Sequence, residues 1–281
     1  MDQLASIFDA NEEISNSMRK LAFVLAASDH GSMIVSRLDY CMTSPTSGFG
    51  VGHQVLECGA FDPSEVSMAV SVLNLRRQYF KDGVFAIDCG ANIGIHTIEW
   101  AKCMTGWGYV IAIEAQERIY YALAGNVAIN NCFNAVALNV AVTDKPGVIM
   151  VPQLDYLTPA SFGSLELRKS GKTEFIGQLV DYSEGKLRPV QGITIDSIEA
   201  PRIDFIKIDV EGMEMEVLAG AAQSIAKNKP VLLIETIKAD AAKLSEWLIA
   251  RDYKVFQVGI NALAVHASDP VLRHLNQNQG S

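Results

Sequence analysis

Four acidic residues each close an apolar run of the 281-residue chain. Asp88 follows Val84-Phe85-Ala86-Ile87, Glu114 follows Tyr109-Val110-Ile111-Ala112-Ile113, Asp209 follows Phe205-Ile206-Lys207-Ile208, and Glu235 follows Val231-Leu232-Leu233-Ile234. Such runs read as strands buried in a parallel sheet. Ligands of open α/β sheets bind beyond the carboxyl ends of the strands. The four acids are therefore expected on one rim, although none shares a sequence neighbourhood with another. Carboxylates gathered there can hold hydroxyls, accept a proton or ligate a hard cation. Asp209 and Glu211 are close enough to repel, which should raise at least one pKa toward the range of a base at neutral pH. The competing reading is that acids collect at helix starts for the dipole alone. His96 falls one turn into the helix after Gly94 and has the pKa of a base, although a histidine on a helix face is more often a packing residue. Lys207 reads as a core-edge lysine paired with one of these acids.

The segment Asp88-Cys89-Gly90-Ala91-Asn92-Ile93-Gly94 reads as strand, tight turn and helix start. Its glycines let the backbone approach a ligand, and the helix dipole adds to the site. About 20 residues beyond Gly94, Glu114 stands where a carboxylate can take both hydroxyls of a ribose. A dinucleotide fingerprint would read Gly-x-Gly-x-x-Gly. Here the turn is Asp-x-Gly-x-Asn-x-Gly with nothing basic beside it. An acid at the strand end repels a pyrophosphate and suits an amino group and a sulfonium, which favours S-adenosylmethionine over a nicotinamide dinucleotide. The alternative is an ordinary βα turn that binds nothing.

The elements that must position these residues follow from periodicity and punctuation. A helix is expected over residues 4–28, from the stripe that begins with Leu4, Ile7 and Phe8, with packing or dimerisation as its job. Residues 29–61 read as loops with a small hairpin. Asp62-Pro63-Ser64-Glu65 reads as an N-cap, a first-turn proline and a capping-box acid opening a helix to about Tyr79. Helices are expected over 117–130, 213–227 and 239–251, and a strand over Ala135–Val140. Lys254–Val258 and Leu263–His266 should form an antiparallel hairpin. Residues 143–192 interrupt the alternation with four prolines and six glycines. Insertions of this kind tend to be lids or binding loops, and an inert surface excursion is the alternative. The organisation is then an extension over 1–80, a domain over 81–268 and a polar tail.

Bulk properties bound the function. The net charge is −9 and 49% of residues are hydrophobic. Without a basic run, nucleic acid is not expected as a partner. No apolar run approaches a membrane span and residues 1–20 lack the apolar core of a signal peptide, so a cytoplasmic protein is expected. The five cysteines contain no Cys-x-x-Cys and the five histidines are dispersed, so neither a disulfide framework nor a zinc site is expected.

The motifs together resemble the FkbM-type S-adenosylmethionine-dependent methyltransferases. The likeness runs through Ile87–Gly94, Val110–Glu114, Asn126 and Asn130, Asn139–Asp144, Thr194–Ile198, Asp204–Gly212 and Pro230–Glu235, and covers about residues 80–268. Lys207-Ile208-Asp209-Val210-Glu211-Gly212 is its most specific block, and Ala115 departs from the proline usual after the acid. The resemblance implies a class I methyltransferase fold, α/β and Rossmann-like, with a seven-stranded mostly parallel sheet ending in the antiparallel hairpin. It implies methyl transfer from S-adenosyl-L-methionine, most often to a hydroxyl of a sugar or secondary metabolite. On that footing Asp88, Gly90, Asn92 and Gly94 are assigned to the methionine end of the cofactor, Glu114 to the ribose, and Ala141 and Val142 to the adenine neighbourhood. Asp209 and Glu211 are the acceptor-side candidates, with His96 and Glu235 next. The expected partner is a small-molecule acceptor, with a homodimer through the N-terminal extension as a further expectation.

Two rivals stand beside this reading. A short-chain oxidoreductase would need Tyr-x-x-x-Lys, and only Tyr182 with Lys186 meets that offset, inside the insertion. A catalytically silent S-adenosylmethionine binder would bury Asp209 and Glu211 in a salt-bridge network.

Overall fold

The computed structural model describes residues 20–169 and 173–275. Its centre is a seven-stranded sheet. In chain order the strands are β5 (Val84–Cys89), β6 (Gly108–Ile113), β7 (Ala135–Leu138), β11 (Phe205–Ile208), β12 (Val231–Glu235), β13 (Tyr253–Val258) and β14 (Asn261–His266). They lie in the order β13-β14-β12-β11-β5-β6-β7, and β14 alone points opposite to the other six. The alternation of apolar runs with helices produces this sheet, because parallel neighbours require crossovers long enough to hold a helix. The order reverses direction between β5 and β11, the place where such sheets open a crevice. The expected hairpin at the C-terminal end is present, closed by a two-residue Gly259-Ile260 turn. Helices cover both faces, and every residue of β11 and β12 is buried.

The crossover helices are α3 (Ile95–Cys103), α4 (Glu117–Ile129), α5 (Glu214–Gly220), α6 (Ala222–Asn228) and α7 (Ala241–Ile249). The single helix expected over 213–227 is thus two, broken at Ala221. Gly220 lies so tight against the Thr143 carbonyl that a Cβ would overlap it, and the chain bends where it meets that contact.

The N-terminal segment departs from expectation. Of the helix expected over 4–28, residues 4–19 lie outside the described residues, and the remainder is not helical. Phe23–Ser28 is strand β1, paired with β2 (Gly31–Ser36) around a tight turn. The side chains of β1 alternate between half-buried and exposed, so the apolar residues fit a two-residue period as well as a helical stripe. A second hairpin, β3 (Cys41–Ser44) with β4 (Ser47–Phe49), leads into helix α1 (Val51–Cys58) and then α2 (Pro63–Phe80). Asn126 of α4, fully buried, accepts the N–H of Ile34 at 2.6 Å and donates to the carbonyls of Ile34 and Ile93. It ties the first hairpin to the turn after β5.

Helix α2 begins where the sequence indicates, but not by the expected cap. Asp62 adopts a left-handed backbone with φ 39° and its side chain caps nothing. Glu65 is turned away from the helix start, toward His96 and Asn261. Arg76, buried in α2, donates to Asp204 at 3.1 and 3.2 Å and pairs with Asp269. Asp204 in turn accepts the Phe85 N–H at 3.0 Å. This buried, hydrogen-bonded charge cluster locks α2 against the start of β5, as buried charges require.

Residues 143–192 are a built element. β9 (Gly147–Pro152) and β10 (Leu187–Ile193) pair antiparallel, and the end of β10 pairs with β8 (Ala141–Val142). The strand expected over Ala135–Val140 is correspondingly shorter, and its continuation is β8 in the second sheet. Between β9 and β10 the chain packs inward, burying Ala160, Phe162, Leu165 and Ile176.

Candidate active site

The carboxyl ends of β5, β6, β11 and β12 open onto two adjoining spaces. The larger, about 360 Å³, is lined by the turn Gly90-Ala91-Asn92, by Ile95 and His96 of α3, and by Lys207, Asp209, Glu211 and Glu235. Its outer wall comes from the N-terminal segment (Phe49–Val51, Phe61, Asp62, Glu65) and from Ser161, Gly163 and Ser164 of the insertion. The smaller is a recess of about 50 Å³ bounded by Glu114, Ala141, Val142, Leu165, Leu167 and Met213. The two share Gly90, Gly163, Asp209 and Glu211, so they are halves of one cleft.

Gly90 shapes the junction. Its φ is +76°, and a Cβ there would overlap the Asp209 carbonyl oxygen. Only glycine lets the turn after β5 lie against the end of β11. Asn92, also left-handed at φ 50°, donates its backbone N–H to Glu114 at 3.0 Å. The other Glu114 oxygen accepts the Gln116 N–H at 2.8 Å. Each carboxylate oxygen keeps a second lone pair, and Glu114 lines the recess. Burial pushes the Glu114 pKa up to about 7, against the pull of the two amides.

The remaining residues assigned to the cofactor divide. Ala141 and Val142 line the recess, while Asp88 and Gly94 lie behind the cleft and line neither space. Asp88 accepts the Thr97 hydroxyl at 2.6 Å, and its other oxygen sits 3.9 Å from Lys207. It braces the turn from beneath. Gly94, at φ +92°, starts α3 against Leu123.

The four acceptor-side candidates share the larger space, each with a different partner. Asp209 accepts from Lys207 at 2.7 Å. Glu211, at φ 56°, pairs with Lys238 at 2.5 Å. Glu235 is only 8% exposed and its Oε2 has no hydrogen-bond partner. Burial, then the charges of Asp209 and Glu211, hold the Glu235 pKa well above the usual carboxylate range; burial and Asp209 do the same to Glu211. His96 places Nε2 3.1 Å from Glu65 Oε1 and meets the Trp100 ring edge-on. Burial would raise Glu65, but His96, Lys207 and Asn261 outweigh it and its pKa is lowered. One ligand oxygen each from Asp209, Glu211 and Glu235 falls within 4.8 Å of the other two.

Sequence reasoning misses three contributors. Asp39, 2% exposed, accepts the N–H of Gly52 and of Phe162, both at 2.9 Å. Gln116 donates to the Phe162 carbonyl at 2.8 Å and accepts the Tyr156 hydroxyl at 3.1 Å. Lys238 links Glu211 to the insertion by donating to the Ser164 carbonyl at 3.0 Å. Their partners lie far along the chain, and no local pattern marks them. Asn139 was legible as part of a motif, and its side chain donates to the Glu114 and Ala115 carbonyls.

A sheet of this order, with a glycine turn after β5 and an acid after β6, defines a class I methyltransferase fold. The chain belongs to the FkbM methyltransferase family: the methyltransferase FkbM domain matches residues 88–255. Methyltransferase sdnD of Sordaria araneosa is 30% identical over an alignment of 164 residues that covers 48% of this chain and 60% of that protein. The chain therefore spans less than two thirds of that relative. An FkbM methyltransferase structure from Methylobacillus flagellatus is 19% identical, covering 68% of this chain and 48% of that one, with a TM-score of 0.47. A SAM-dependent methyltransferase from Aquifex aeolicus is 16% identical, covering 73% of this chain and 97% of that one, with a TM-score of 0.34.

Proposed function

We propose that this chain is an S-adenosyl-L-methionine-dependent O-methyltransferase whose acceptor is a hydroxyl of a small molecule, a sugar or secondary metabolite. The observation that carries the reading is the single cleft with two unlike halves. One half has an apolar recess beside Glu114, and the other has a roomier space floored by carboxylates, and Gly90 stands between them. The residues fit the cofactor. The free lone pairs of Glu114 match two ribose hydroxyls, Ala141, Val142 and Leu165 offer flat apolar contact for an adenine, and the Gly90 backbone leaves room for the methionine portion. When bound, the cofactor supplies an electrophilic methyl on a sulfonium.

What the chain contributes is orientation and a proton acceptor. The acceptor oxygen must lie in line with the methyl carbon and the sulfur, an alignment worth several kcal/mol (roughly 7 or more in the best intramolecular cases). The new O–CH₃ bond forms as the CH₃–S bond breaks, the sulfur keeps the electron pair, and the hydroxyl proton leaves to a protein group. Asp209 and Glu211 are each matched to a lysine. Glu235 has no such partner and His96 is set against Glu65; both line the same space and are the proton acceptors in this reading. The apolar residues Phe49, Val51, Phe61, Ile95, Ile237 and Ile260 of the same space fit the hydrocarbon face of the acceptor.

The test is methyl transfer from labelled S-adenosylmethionine to a panel of sugars, glycosides and hydroxylated metabolites. Label appearing as a methyl ether supports the reading. Label on nitrogen or carbon acceptors alone would overturn the hydroxyl assignment.

A further inference from the structure

Glu235 is the last residue of β12, is almost wholly buried, lines the acceptor space, and has an oxygen, Oε2, with no hydrogen-bond partner. A buried, unmatched carboxylate is costly and needs a proton or a cation. Two further carboxylates converge on it from the loop after β11, and oxygens of all three lie within 4.8 Å of one another. Lys207 engages Asp209 through Oδ2, and Lys238 engages Glu211 through Oε2. That leaves the other oxygen of each, and the Glu235 carboxylate, without a lysine. The lysines do not balance the floor. Glu65 and Asp62 line the same space, Glu214 lies behind Glu211, and Lys207 is also shared with Asp88.

We propose that Asp209, Glu211 and Glu235 form a binding site for one hard divalent cation of the Mg²⁺, Mn²⁺ or Ca²⁺ class. Such ions take carboxylate oxygens at about 2.0–2.6 Å, so opposite ligands stand roughly 4–5 Å apart. The observed spread of 4.8 Å or less matches that range. The three ligands come from the ends of two adjacent strands paired in register through Ile208 and Ile234, so the sheet holds the site open without help from the ion. An ion here would keep positions for water and for an acceptor oxygen, because three carboxylates do not fill six positions. Resting on the methyl-transfer reading, it would bind the acceptor hydroxyl and ease loss of its proton, with Glu235 serving as a ligand and His96 receiving the proton.

The experiment is titration of chelator-treated, dialysed protein with Mn²⁺, followed by the loss of free-ion electron paramagnetic resonance signal, and with Mg²⁺ and Ca²⁺ by calorimetry. One Mn²⁺ per chain is expected, displaced by one of the other two ions. Glu235→Gln and Asp209→Asn should each weaken binding at least tenfold, while Glu57→Gln, an exposed residue of α1, should leave it unchanged. Circular dichroism establishes that each variant is folded. A wild-type protein that depletes no Mn²⁺ at millimolar concentration overturns the proposal whatever the variants do, and so does wild-type affinity in folded Glu235→Gln. Neither readout needs acceptor or methyl transfer. Transfer without ion binding leaves the enzymatic reading standing and removes the cation; ion binding without transfer to any hydroxyl does the reverse.

Discussion

Asp39 and Phe162 are 123 positions apart and are joined by one hydrogen bond, from the Phe162 N–H to Asp39 Oδ1 at 2.9 Å. The other oxygen of Asp39 takes the N–H of Gly52. One buried carboxylate therefore clamps the N-terminal segment to the insertion, and the two walls it joins are the walls of the acceptor space. The clamp has a pH signature. Burial raises the Asp39 pKa to about 6, against the pull of the two amides. In the folded state Asp39 holds its proton at a pH where the unfolded chain, near 3.9, has released it. Stability therefore falls as pH rises from about 4 to about 6, by about 3 kcal/mol at most. Urea unfolding across that window should show the decline, and Asp39→Asn should flatten it. An equal slope in the variant would assign the decline to other groups.

Glu114→Ala should weaken binding of S-adenosylmethionine and its demethylated product by about 1.5–3 kcal/mol, the range for hydrogen bonds to a charged group. Calorimetric titration measures it. An unchanged dissociation constant in a folded variant would show that the ribose lies elsewhere.

Gly90→Ala tests the junction of the cleft. The added methyl would meet the Asp209 carbonyl, and the left-handed backbone disfavours any side chain. The expected cost is about 2–4 kcal/mol of stability, as for overpacking combined with backbone strain. Thermal unfolding reads the stability, and cofactor affinity should fall with it. Gly185→Ala, in open space, is the control.

Lys207→Met removes the cation shared by Asp88 and Asp209. Breaking a buried pair leaves an uncompensated charge, at a cost of about 3–5 kcal/mol. Because Asp88 is more deeply buried than Asp209, the second substitution Asp88→Asn should recover much of that loss. A double variant no more stable than Lys207→Met would show that Asp88 is not the residue in need of the charge.

Glu235→Gln and His96→Asn should each keep cofactor affinity within a few-fold. At least one should lose roughly 100-fold in turnover, the scale of general acid–base catalysis. Asp209→Asn and Glu211→Gln belong in the same series, since both line the acceptor space. Full activity in all four would remove the carboxylate floor and the histidine from proton transfer.

The sheet and its rim were legible because each strand carries its own signal: an apolar run closed by an acid needs no information from elsewhere in the chain. The convergence of Asp209, Glu211 and Glu235 follows from that rule alone. What was illegible depends on long-range partners. Glu65 sits at a capping-box position yet turns to His96 and Asn261, because Asp62 takes a left-handed backbone that no local rule requires. Phe23–Ser28 reads as part of a helical stripe only because the apolar residues before it set the period. The role of Asp39 exists only once β3, α1 and the insertion have been brought together.

The insertion leaves and re-enters the second sheet at a matched pair, Pro152 opposite Leu187, with the Gln153 N–H bonded to the Lys186 carbonyl. Between these two points no residue pairs with a strand of the main sheet, although Phe162 and Leu165 pack into its core. Residues 153–186 are thus a module with fixed sockets, in which selection, or an engineer, can rewrite one wall of the acceptor space provided that Gly163, Leu165 and Leu167, which line the Glu114 recess, are kept. Swapping this segment between family members, joined at 152 and 187 and with Gly163, Leu165 and Leu167 retained, is the natural way to recombine acceptor preference with an unchanged donor half.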